Sequence, residues 1–156
     1  MPRAKLGDKA PEFTLPSSNG QKISLKDFKS KKNVVLYFYP KDDTPGCTVE
    51  ACGFRDSLNT IETNNAVVFG VSPDKVSSHE KFIRKFNLPF LLLSDEDHKI
   101  SMGYGVWVEK SMYGRKYMGI ERTTFIIDQE GKIVKIFEKV KPQGHDEEVI
   151  EALRAI

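Results

Sequence analysis

The stretch 34-VVLYFYPKDDTPGCTVEACGFRDSLNTIETNNAVVFGVS-72 decides the architecture. It opens and closes on apolar runs, 34-VVLYFY-39 and 66-AVVFGVS-72, rich in valine and aromatic residues. Runs of that kind suit strands buried on both faces, as in a parallel sheet. Between them Thr44 is a good N-cap residue and Pro45 a good first helical residue, which predicts a helix from Pro45 to Thr63. Strand, helix and strand make a βαβ unit, whose crossover is right-handed in nearly all proteins.

Working outward, 12-EFTL-15 and 21-QKISL-25 flank the turn-rich 16-PSSNG-20 and predict a small amino-terminal hairpin. A second helix is expected over residues 77–86, stopping before Pro89. A short helix is expected over 95-DEDHKISMG-103, opened by its acidic residues and closed by glycine. The β-rich segments 122-RTTFIID-128 and 132-KIVKIFE-138, joined by 129-QEG-131, read as a second hairpin. In 145-HDEEVIEALRAI-156, Val149, Ile150, Leu153 and Ile156 follow helical spacing behind an acidic first turn. The run 110-KSMYGRK-116 reads as a mobile, solvated loop. No repeat, low-complexity tract or linker interrupts the chain. The expectation is one α/β domain over residues 1–156, with a mixed central sheet, helices on both faces and an amino-terminal β-hairpin.

Composition excludes several classes of function. The chain has 156 residues, with 24 Lys plus Arg against 22 Asp plus Glu, a net charge of +2. Near-balance without a basic stripe argues against a nucleic-acid partner. Ten Phe and five Tyr allow a proper core and exclude disorder. Two cysteines are too few for a disulfide scaffold. No apolar run approaches the ~20 residues needed to cross a bilayer, and 1-MPRAKLGDKAPEF-13 lacks the apolar stretch of a signal peptide. A cytoplasmic location without membrane association is expected. Thiols there are usually reduced, so the cysteines are reactive or inert rather than a static bridge.

The segment 37-YFYPKDDTPGCTVEACGFRD-56 carries the chemistry. It starts at the carboxyl end of a buried strand, the edge where open α/β sheets bind ligands. Pro40 ends the strand, 41-KDD-43 forms a loop, and the helix start puts Cys47 at the third helical position. There its sulfur lies near unpaired backbone N–H groups and the positive end of the helix dipole, both of which favour thiolate over thiol. The alternative is an inert buried cysteine. Cys52 follows in the same helix, and ideal helix geometry puts the two Cα atoms roughly 8.6 Å apart. A disulfide needs less than ~7 Å. A Cys47–Cys52 bond therefore requires the first helical turns to unwind, and Gly46 and Gly53 weaken that segment by up to ~1 kcal/mol each. Cys52 is otherwise a core residue on the inner helix face. A thiolate that attacks a peroxide also needs charge stabilisation, which arginine supplies well. Arg122 reaches the site if its strand lies beside 34–39, and is otherwise a surface ion-pair residue. Glu50 either orients that arginine or is simply a favourable acid near a helix start.

The run 40-PKDDTPGC-47 resembles the Pro-x-x-x-Thr-x-x-Cys signature of peroxiredoxins. The longer 38-FYPKDDTPGCTVEACGFRD-56 is similar to the bacterioferritin-comigratory, or peroxiredoxin Q, branch. The likeness extends to 7-GDKAPEFTL-15, 94-SDEDHKI-100, 105-GVWVEKSMYGRKYMGIERTTFIID-128 and the carboxy-terminal helix. It implies a thioredoxin-like fold and a thiol peroxidase acting on hydrogen peroxide and organic hydroperoxides. It further implies that Cys47 attacks the distal peroxide oxygen and becomes a sulfenic acid. In the family, the residue at Thr44 hydrogen-bonds the peroxide and that at Pro40 shields the site. The arginine at Arg122 activates sulfur and polarises the O–O bond, and the glutamate at Glu50 holds the arginine. Cys52 matches the resolving cysteine, and thioredoxin or a similar dithiol reduces the resulting disulfide. Ser101 and Met102 stand where some members carry another cysteine, so only Cys52 can resolve within the chain. Branch members are monomers or dimers.

No cofactor and no metal are expected. His79, His98 and His145 lack metal-ligand spacing to either cysteine. Tyr104 and Trp107 read as packing residues that could also line the pocket, and Gly103 with Gly105 lacks the third glycine of a dinucleotide motif. The competing function is a thioredoxin-like thiol–disulfide oxidoreductase. It is disfavoured because four residues, not two, separate the cysteines.

Overall fold

The computed structural model describes residues 4–156. Residues 1–3, the start of the stretch in which no signal peptide is expected, lie outside the described residues. The centre of the molecule is the strand β3, Asn33–Phe38, buried along its whole length. Its side chains alternate between two cores, as the two-residue period of a strand demands. Val34, Leu36 and Phe38 enter one core. Val35, Tyr37 and the following Tyr39 enter the other.

Helix α1, Pro45–Thr63, returns the chain to β4, Ala66–Ser72, which pairs parallel to β3 with Val35 opposite Val68. The βαβ unit is therefore present, and both limits of its helix fall where the sequence puts them. Helix α2, Val76–Phe86, leads to β5, Leu91–Ser94, parallel to β4. The left-handed Asn87 caps α2 two residues before Pro89. Because the chain needs a positive φ there, asparagine suits the position.

On the other side of β3 lies β8, Thr123–Ile127, antiparallel, with Phe38 opposite Thr123. The outer β9, Ile133–Phe137, completes the order β5-β4-β3-β8-β9. Asp128 Oδ1 accepts the Glu130 and Lys132 N–H groups and shapes the β8–β9 turn. The amino-terminal hairpin is formed by β1, Thr14–Pro16, and β2, Lys22–Ser24. The long helices α1 and α2, with α4, His145–Arg154, share one core, marked by Phe54, Ile61, Phe82 and Leu153. Among the described residues, only α3, Lys99–Gly103, and a 3₁₀ turn, Leu25–Phe28, are helical on the opposite face. Helices on both faces are thus present but unequal.

Two local expectations need correction. The short helix begins at Lys99, not near residue 95. The Asp95 carboxylate instead accepts the N–H groups of Ile100 and Ser101 and the Ser101 hydroxyl, capping the helix from the preceding turn. His98 takes φ 61° to enter it and stacks on Trp107 at 3.8 Å. The 110–116 loop is a two-stranded ribbon, β6, Trp107–Met112, paired with β7, Arg115–Ile120. Its tip is Tyr113–Gly114, both at positive φ, as a two-residue hairpin turn requires. Among the described residues, no helix is long and apolar enough to cross a membrane.

Candidate active site

The site lies at the carboxyl end of β3. Tyr39 continues the strand's direction and donates a backbone hydrogen bond to Val71. The half-buried Pro40 then turns the chain into the loop 41–43. Thr44 has the extended backbone of an N-cap, with φ −99° and ψ 156°, and Pro45 begins α1. The Thr44 hydroxyl does not cap the helix. It donates to the Lys41 carbonyl at 2.8 Å, which leaves its oxygen free to accept another hydrogen bond.

Cys47 occupies the third helical position and is 1 % exposed. Arg122, just before β8, reaches it through the β3–β8 pairing that places Thr123 beside Phe38. Its Nη2 donates to Cys47 Sγ at 3.4 Å, and its Nη1 donates to Glu50 Oε1 at 2.7 Å. Glu50 lies one turn after Cys47, so one guanidinium bridges both side chains of the helix's first turns. Gly46 makes room for it, because a Cβ there would lie 3.0 Å from Arg122 Nη2. Negative charge on Sγ would face this fixed cation.

Burial pushes the Glu50 carboxyl up to about 7, with Arg122 pulling in the opposite direction. Burial also works against the Arg122 cation, but the charges of Glu50 and Cys47 outweigh it and raise its pKa. The other Glu50 oxygen and the Tyr37 hydroxyl are buried without a protein hydrogen-bond partner. Cys52 is half-buried in the same helix, and both cysteines are free thiols.

The structure thus brings together Cys47, Arg122 and Glu50, with Pro40 and Thr44 on the loop leading into their helix. Cys52 stays in the adjoining turns, unpaired. Two neighbours escaped the sequence reading. Lys110, assigned to a solvated loop, has its pKa lowered by burial and by Arg122, so it lies within electrostatic reach of the site. Its aliphatic stem lies against Gly119 across the ribbon. His79, considered only as a metal ligand, is fully buried against Asp42 of the active-site loop. Tyr104 is a packing residue, its ring against Phe38 and its hydroxyl donating to the Pro11 carbonyl.

A cysteine at a helix start, bridged by arginine to a buried glutamate on a thioredoxin-like sheet, defines the peroxiredoxin class. The AhpC/TSA family profile matches residues 6–136, and the chain belongs to that family. Within it the likeness is to the Bcp, or peroxiredoxin Q, branch. The chain is 56 % identical over 146 residues to a putative peroxiredoxin bcp of Coxiella burnetii, covering 94 % of this chain and 96 % of the relative. It is 49 % identical over 150 residues to peroxiredoxin Bcp of Bacillus subtilis, covering 96 % and 95 %. A cysteine mutant of Xylella fastidiosa PrxQ superposes with a TM-score of 0.93 at 38 % identity, over 99 % of this chain and 98 % of that one. The bacterioferritin comigratory protein of Xanthomonas campestris, studied for alkyl peroxide reduction, superposes at 0.89 with 38 % identity, over 97 % and 96 %.

Proposed function

We propose that the chain acts as a single thioredoxin-like domain that reduces hydrogen peroxide and organic hydroperoxides through Cys47. The observation that supports this reading best is the Arg122 guanidinium, which meets Cys47 Sγ and Glu50 together. The Cys47 thiolate attacks the distal oxygen of the hydroperoxide. The O–O bond breaks, sulfur gains the hydroxyl as a sulfenic acid, and the alkoxide leaves and takes up a proton. Arg122 stabilises the charge that spreads from sulfur to the departing oxygen. The free lone pair of the Thr44 hydroxyl accepts a hydrogen bond from the peroxide O–H, whose proton stays on the distal oxygen, and Pro40 shields the site from water.

Cys52 then attacks the Cys47 sulfenic sulfur, forming an intramolecular disulfide and releasing water. The intact helix separates the two Cα atoms by roughly 8.6 Å, beyond disulfide reach, so the turn between them opens first. Thioredoxin or a similar dithiol reduces the disulfide and restores both thiols. The two free thiols support a cytoplasmic setting, where thiols stay reduced, and we read the enzyme as a monomer. A thiol–disulfide oxidoreductase would not need the arginine against sulfur.

The test is peroxide-dependent NADPH consumption with thioredoxin and thioredoxin reductase. Cys47→Ser should abolish it, and unchanged turnover in that variant would overturn the assignment. Cys52→Ser should react once and stop one oxygen heavier. Normal turnover with thioredoxin in that variant would remove Cys52 from the resolving role.

A further inference from the structure

The loop from Pro40 to Thr44 is anchored from behind by a buried polar cluster in which the proposed catalytic residues take no part. Asp42, at the loop's centre, is 7 % exposed and hydrogen-bonded to three side chains. Tyr39 donates its hydroxyl to Oδ1 at 2.5 Å, and Ser78 donates its hydroxyl to Oδ2 at 2.8 Å. His79 Nδ1 lies 2.7 Å from the same Oδ2. The Asp42 backbone N–H donates to Asp74 Oδ2 at 2.8 Å, and Ser72 donates its hydroxyl to that oxygen at 2.7 Å. The loop after β3 is thereby tied to the segment after β4 and to α2. On the surface Lys85 repeats the link, donating to Asp43 Oδ2 at 2.8 Å. Asp43 is held at φ 58°, where a non-glycine residue needs external support.

The ring of His79 has acceptors on both sides. Nε2 lies 2.9 Å from the Leu93 carbonyl, which can only accept, so Nε2 carries a proton. Nδ1 faces the Asp42 carboxyl, whose oxygens also meet the Tyr39 and Ser78 hydroxyls. At 2.7 Å a proton lies in the Nδ1–Oδ2 contact as well, so His79 is hydrogen-bonded through both nitrogens. Truncating one partner of a buried pair strands the other.

We propose that His79 is a positioning residue of the peroxide pocket: by donating to Asp42 from Nδ1 and to Leu93 from Nε2, it fixes the 40–44 loop and with it the Thr44 hydroxyl. His79 lies on α2, outside the chain of contacts Cys47–Arg122–Glu50. It therefore acts on the peroxide side of the site and leaves the sulfur's own setting alone. This role rests on the proposed peroxidase reading, in which Thr44 binds the substrate.

Two isosteres separate the two hydrogen bonds. The amide nitrogen of asparagine occupies the place of Nδ1 and keeps the donor to Asp42. That of glutamine occupies the place of Nε2 and keeps only the donor to Leu93. In a Cys52→Ser background, the rate of Cys47 oxidation by hydrogen peroxide is measured beside alkylation of Cys47 by iodoacetamide, which needs no hydrogen bond to Thr44. His79→Gln should lose about 10- to 100-fold in the peroxide rate, the scale of a small misplacement in a site. Its alkylation rate should stay within about twofold, and His79→Asn should recover most of the peroxide rate. Equal peroxide rates in the two variants would overturn the proposal, as would a parallel fall in alkylation or a wild-type rate in His79→Gln.

One arm needs no variant. In reduced protein labelled with ¹⁵N-histidine, His79 should show two slowly exchanging ring N–H protons, and a single one would also refute the assignment. Failure of the peroxidase reading would look different, as an absence of peroxide reaction in the unaltered protein while both ring protons persist.

Discussion

Residues 45–53 and residues 54–63 of α1 belong to one helix but rest on different supports. The first part contains Gly46, Gly53 and both cysteines, and is clamped by Arg122 through Cys47 and Glu50. Beneath it are a Glu50 oxygen and the Tyr37 hydroxyl, buried without protein partners, a situation costing about 1–3 kcal/mol each. The second part is held by apolar packing together with two polar anchors, Arg55 donating to the Phe86 carbonyl and Ser57 donating to Asp146. Phe54 meets Tyr37 at 4.8 Å and the His145 ring at 5.6 Å, and Ile61 is fully buried. A polar clamp depends on the state of the sulfur that it grips, whereas apolar burial does not. One end of the helix can therefore open in the redox cycle while the other stays docked.

The largest expected effect separates the clamp from the rest. Arg122→Ala should lower the rate of Cys47 oxidation by about 10²–10³-fold, the usual scale for losing a donor that stabilises developing charge. Stopped-flow oxidation by hydrogen peroxide measures it, and a loss below threefold would break the distinction. Phe54→Ala should do the reverse. It should cost about 3–5 kcal/mol of stability by chemical denaturation, yet leave the peroxide rate of the folded protein within a few-fold.

Glu50→Gln sharpens the comparison through pH. With the carboxyl raised to about 7, the folded protein holds an extra proton between the ordinary glutamate range and that value. The group's contribution to stability is then full at low pH and is lost as pH rises through about 7. Glu50→Gln should flatten that fall in urea titrations between pH 5 and 8. The ionised carboxylate grips Arg122 more firmly, so the variant should match the parent in peroxide rate near pH 5.5. It should fall behind by about tenfold near pH 8, the equivalent of a charge-assisted bond of ~1.5 kcal/mol. A constant ratio across the range would contradict this. The smallest effect belongs to Tyr37→Phe, which removes a hydroxyl with no protein partner. It should leave stability unchanged or raise it by up to about 1 kcal/mol, and a clear loss would show that the hydroxyl is satisfied.

Much of this was legible in the residues because the signals are local. The runs 34–39 and 66–72, and the Thr44–Pro45 start, mark β3, β4 and α1 without knowledge of the rest. The ribbon was hidden because its turn is Tyr113–Gly114 rather than Asn–Gly, and its exposed residues mix charged side chains with Met112, Tyr117 and Met118. The acids at 95–97 looked like a first helical turn, yet Asp95 serves as a cap from outside. Cys47 follows from its place at the end of a strand. Arg122 depends on the pairing of β8 with β3, a contact between distant segments that spacing alone does not set and only the family likeness supplied. His79 carried no signal, since a lone histidine on an amphipathic helix declares its burial only once α2 is docked beside the loop.

The most direct test of the unequal helix is amide hydrogen exchange on the reduced protein and on the protein oxidised to its Cys47–Cys52 disulfide. Oxidation should strip protection from residues 46–53 and leave residues 54–63 as protected as before. Unchanged protection at 46–53, or loss running through to Thr63, would contradict the account.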